Sequence, residues 1–178
     1  MRHPQLTAAL LSSCLLGFAA QPASADDDDE NRLRAKLRGY QEVPAVSTLA
    51  SGDFRATIHD NARIEYELSY RDLQGSVTQA HIHFAQRGVN GGISVWLCGT
   101  AALPGPAGTP VCPSTNPATV TGTITAVNVI GPGGVQQLGV GELAELLKAI
   151  RAGVTYANVH TSVSPGGEIR GQIKANDD

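Results

Sequence analysis

Aromatic residues are scarce in this chain: they make up 4% of its 178 residues, with a single Trp. So few rings give no support to a carbohydrate-stacking platform. Basic charge is scarce too. Lys and Arg number 13 against 16 Asp and Glu, a net charge of -3 with no basic stripe, which argues against a nucleic-acid partner. Long apolar runs are also missing. The one candidate, Leu6 to Ala20, is too short for a membrane span. Gly91-Gly92 and Gly166-Gly167 read as turns, because no Gly-rich loop precedes a helix as phosphate binding requires. No spacing supports a Ser-His-acid triad.

The N-terminal segment is the first positive signal. Met1-Arg2-His3, the apolar run and Ala23-Ser24-Ala25 have the layout of a secretory signal peptide, expected over residues 1-25. A second reading takes Leu11-Ser12-Ser13-Cys14 as a lipoprotein signal with Cys14 acylated. Cleavage after residue 25 would take one Arg and no acid, moving the net charge from -3 to -4. Residues 26-32 begin with the acidic run Asp26 to Glu30 and read as a solvated, disordered leader. One domain is expected over 33-174, with a short tail at 175-178. Export to the periplasm or outside the cell makes Cys98 and Cys112 a disulfide, which would stabilise by about 3 kcal/mol in the chain-entropy model. The alternative is a pair of soft metal ligands.

Period-two alternation dominates the rest. Phe54, Ala56 and Ile58, then Ile64, Tyr66, Leu68 and Tyr70, flank a turn at 59-62 and predict a hairpin. Further strands are expected over 77-84, 93-97, 120-126, 156-161 and 168-173, and Arg32 to Gly39 could begin another. Leu143, Leu146, Leu147 and Ile150 follow helical spacing, and Gly153 supplies the stop. The fold class is all-β: an antiparallel Greek-key-like sandwich or barrel with one short α-helix and one disulfide.

Chemistry concentrates in histidine. His81 and His83 lie two apart on a strand, so they project to one face roughly 7 Å apart. The other face of that strand carries Ala80, Ile82 and Phe84. If the strand holding His160 packs alongside, three imidazoles converge on a mononuclear site for copper, with zinc the second choice. The structural reading of the same residues is hydrogen bonding to neighbouring strands, with Thr161, Gln79 or Glu42 as partners.

The chain resembles the CHRD domain first named in chordin. The resemblance rests on Leu37-Arg38-Gly39-Tyr40-Gln41-Glu42-Val43-Pro44, on Ala80-His81-Ile82-His83 with Asn90-Gly91, and on Gly153 to Ile173. It implies an extracellular or periplasmic β-rich domain and no settled activity. Within these motifs Glu42 reads as a metal ligand or as an acceptor orienting a His. It also reads as half of an ion pair with Arg170, for which Glu168 is the other candidate partner. A weaker likeness is to copper/zinc superoxide dismutase, which also carries a His-x-His strand pair, a distant third His and a disulfide. The His-rich zinc loop is missing here, and His59 could serve as a fourth ligand only if its turn folds over the site. Three functions follow as expectations: a metal-binding exported protein, a metal-free module for an extracellular protein partner, and a dismutase-like redox enzyme.

Overall fold

The computed structural model describes residues 31-175. Among them the strands are β1 (Arg32–Arg38), β2 (Ser51–His59), β3 (Arg63–Arg71), β4 (Val77–Phe84), β5 (Gly92–Gly99), β6 (Ala118–Ile124), β7 (Thr155–Thr161), β8 (Ile169–Gln172) and β9 (Lys174–Ala175). One α-helix, α1 (Leu143–Arg151), precedes β7. The expected signal peptide, Cys14 and residues 26-30 of the leader lie outside the described residues. Arg32 already opens β1 and Ala175 pairs with Leu33, so β structure runs one residue past the expected domain limits at each end.

The strands form one antiparallel sheet in the order β5-β4-β7-β8-β1-β2-β3-β6, with β9 beside β1. Sequential hairpins alternate with jumps at β3–β6, β8–β1 and β4–β7, which gives the Greek-key character. The outer strands β5 and β6 come back toward each other, so the sheet nearly closes into a barrel. Across the interior, the Tyr66 hydroxyl on β3 donates to the Leu97 carbonyl on β5 at 2.5 Å.

Alternation on β2 and β3 does what the pattern predicts. Phe54, Ala56, Ile58, Ile64, Tyr66 and Leu68 face the core, and the residues between them face water. Helix α1 buries Leu143, Leu146, Leu147 and Ile150 in the same core, each contributing about 1.5–3 kcal/mol. It ends on Gly153 at φ +68, where Val154 N–H bonds Ala149 O and Gly153 N–H bonds Ile150 O. That is the left-handed helix ending a glycine makes cheap. Among the described residues no helix is long and apolar enough to cross a membrane.

One detail departs from the sequence reading, and the expected disulfide is formed. The expected last strand, 168-173, forms β8 only and breaks at Ile173, whose N–H turns to Thr155 O, and β9 follows beyond its expected end. Cys98 and Cys112 are joined as a disulfide, so the soft-ligand alternative is withdrawn.

Candidate metal centre

β4 and β7 pair so that His81 lies opposite Asn158, His83 opposite Tyr156 and Gln79 opposite His160. His160 is thus the diagonal neighbour of His81, within reach across the pair. Ala80 and Ile82 point into the barrel, and the imidazoles take the outer face as alternation requires. On the other side β5 slips register twice against β4, between Ala80 and His81 and between Ile82 and His83. Such irregularities re-aim side chains beside functional sites. Here they place Trp96 opposite His81, with ring centroids 4.4 Å apart.

The outer face is covered. The turns around Val43, Gly91 and Pro165 close over it, and His81, His83 and His160 are only 0%, 7% and 7% exposed. His83 Nδ1–H donates to Gly91 O at 2.9 Å, and His160 Nδ1–H donates to Pro165 O at 2.8 Å. Both rings therefore turn a bare Nε2 inward. His81 Nδ1 lies 3.1 Å from His160 Nε2. The Nε2 atoms of His81 and His83 are buried without a hydrogen-bond partner. One donor nitrogen from each ring falls within 4.8 Å of the other two. That limit is wider than the 3–4 Å of a closed coordination shell, so an ion would draw the rings inward.

Burial keeps the cluster neutral. Desolvation, with repulsion from His160 and His83, pushes His81 down to about 2. Desolvation pushes His83 down to about 4 and lowers His160 as well, and the Arg170 charge adds to the shift in both. Neutral imidazole is the form that binds metal.

Around the cluster stands a second layer. Arg170 Nη2 meets Glu42 Oε2 at 2.9 Å and donates to Asn90 Oδ1 at 2.7 Å. Its guanidinium lies 4.0 Å over the Tyr156 ring, which stacks on His83 at 4.7 Å. The Glu42–Arg170 pair is therefore formed. The Glu168–Arg170 pair is not: the Glu168 carboxylate accepts from Thr161 at 2.7 Å, Gln74 N–H at 2.8 Å and Thr48 at 3.0 Å. The turn at 164-167 carries Glu168 back onto β7, which adjacency in sequence does not reveal. Glu42 touches Arg170 rather than an imidazole. His59 stays at the β2–β3 turn, 3.2 Å from Glu65 and outside the cluster.

Asn158 is the residue the sequence reading missed. It is buried, and its Oδ1 lies 3.1 Å from His160 Nε2. Its signal was the two-residue spacing to His160 on the same strand. Gly167, at φ +122, clears the way: a Cβ there would fall 2.5 Å from Glu42 Oε1 and 3.0 Å from Asn158 Nδ2.

The three stretches that carry the family resemblance thus meet at one place in the fold. No curated protein and no solved structure matches the chain. The family model for the CHRD domain matches residues 33–173, most of the chain, and the protein belongs to the CHRD family.

Proposed function

We propose that this is an exported CHRD protein that holds one metal ion, copper before zinc, through His81, His83 and His160. The observation that carries it is the convergence of one donor nitrogen from each of three buried imidazoles, with backbone carbonyls fixing the His83 and His160 rings. His81 Nε2 and His83 Nε2, buried without a hydrogen-bond partner, are free to serve as donors. Copper comes first because imidazole sites bind it more tightly than zinc. Export rests on the N-terminal layout and the disulfide. The burial of all three rings suits retention of an ion more than turnover of a substrate, and it speaks against a dismutase-like centre, which needs copper open to solvent.

The test is a titration of the chelated protein with Cu(II) in air and with Cu(I) under anaerobic conditions, binding of either counting for the site, followed by mass spectrometry and by quenching of Trp96, the only Trp. One equivalent is expected to bind. A His81→Ala/His83→Ala protein that takes up copper with undiminished stoichiometry would falsify the reading. The rival, a module for an extracellular protein partner, draws on Val127, Val135 and Val140, exposed in the segment before α1. Absence of copper binding favours it.

A further inference from the structure

We infer that the site selects a singly charged ion, taking copper as Cu(I) and discriminating against divalent metals. This rests on the three-imidazole reading and specifies its ligand. The donor set is neutral. Among the described residues the ligand cluster is His81, His83 and His160 alone, and the oxygen beside His160 Nε2, at 3.1 Å, belongs to the neutral Asn158 amide. Of the two buried carboxylates nearby, Glu168 is held by Thr161, Thr48 and Gln74, and Glu42 meets Arg170 through Oε2 and is not among the clustered ligands, though its Oε1 is buried without a partner. An ion entering the cluster therefore keeps its full charge in a place removed from water. The desolvation cost grows with the square of that charge, so a divalent ion meets roughly four times the penalty of a monovalent one.

Arg170 adds to the difference. Its guanidinium is permanently charged and lies 4.0 Å over Tyr156, which stacks on His83. Its repulsion, offset in part by the Glu42 carboxyl 2.9 Å away, is twice as large for a divalent ion. A divalent metal can shed charge by binding hydroxide, but that needs an open fourth position. The Trp96 ring stands 4.4 Å from His81, and the Asn158 amide stands 3.1 Å from His160 Nε2, on two sides of the cluster. Geometry points the same way: Cu(II) favours tetragonal surroundings with further ligands, whereas Cu(I), a closed-shell ion, accepts three donors.

The experiment uses the full chain, chelated and kept anaerobic, with a His81→Ala/His83→Ala/His160→Ala protein as control. Cu(I) is titrated in competition with a chromophoric chelator. Ag(I) serves as a redox-silent monovalent probe, and Zn(II) and Cu(II) as divalent probes. One equivalent of Cu(I) and of Ag(I) is expected, with both divalent ions held about 100-fold more weakly than Cu(I), or nearly 3 kcal/mol. Zn(II) or Cu(II) bound as tightly as Cu(I) overturns the charge selection and leaves the three-imidazole site standing. Failure of every ion overturns both. In the paired variant Glu42→Gln/Arg170→Met, its fold checked by circular dichroism, the Zn(II) to Ag(I) affinity ratio is expected to rise about tenfold. An unchanged ratio removes Arg170 from the account.

Discussion

Glu42 and Arg170 are 2% and 5% exposed and meet at 2.9 Å, so neither charge can turn to water when the other is removed. Arg170→Met is expected to cost about 3–5 kcal/mol, because it strands a buried carboxyl and also removes the guanidinium from Tyr156. Glu42→Gln is expected to cost less, because the guanidinium it leaves behind keeps the Tyr156 face and its bonds to Val89 O and Asn90 Oδ1. Burial already pushes the Glu42 carboxyl up to about 7 against the pull of Arg170, and a neutral amide keeps its shape. Urea denaturation of both single variants and the double variant measures the asymmetry; equal losses would show that the carboxylate charge matters as much as the guanidinium. This pair was legible in the sequence as one of two candidates, because Glu42 and Arg170 sit among mostly mild residues in the family motifs, with Glu168 the competing partner. Asn158 was not, since an amide carries no charge to draw attention. Glu168 was legible as a residue but not in its partner, which a turn brings from β7.

At the scale of elements, β5 and the loop after it form a lid on one flank of the site. Cys98 closes that loop onto Cys112, and Gly99 and Pro110 add backbone bonds at its neck. The loop backbone presses on the indole: a Cβ on Gly105 would lie 2.7 Å from Trp96 Cε3. Replacing both cysteines by Ala is expected to cost about 3 kcal/mol in stability and to red-shift the emission of Trp96 as the loop lifts. Unshifted emission with an unchanged midpoint would mean that the loop is held by its other contacts alone. β2, β3 and α1 were readable because each has one face on the core and one in water, which writes a period of two or of 3.6 into the residues. β7 is buried at all seven positions, so burial on its outer face comes from distant turns. Its alternation of Tyr156, Asn158 and His160 with Ala157 and Val159 gives the strand. It does not say what covers the polar side.

The whole molecule should register this burial as acid lability. In the unfolded chain the three imidazoles take up protons near 6.5, whereas in the fold His81 waits until about 2 and His83 until about 4, with His160 lowered too. Below 6.5 the unfolded state therefore binds more protons, and stability falls as pH falls toward 4. Glu42 acts in the opposite sense. Its carboxyl sits near 7 in the fold against 4.5 when unperturbed, so its contribution is present at low pH and lost as pH rises through 7. One such group against three imidazoles leaves a net loss of stability on acidification below 6.5. Denaturant midpoints at pH 7, 6, 5 and 4.5 are expected to fall in sequence for the metal-free protein. In the His81→Ala/His83→Ala/His160→Ala variant the slope should shrink and then reverse, because Glu42 alone remains. A copper-loaded sample should fall more steeply than the metal-free one, since every proton taken up by a ligand also expels the ion. A flat metal-free profile would mean that the imidazoles titrate inside the fold as they do in water. The cluster would then be open, and the case for an ion shielded from solvent would go with it.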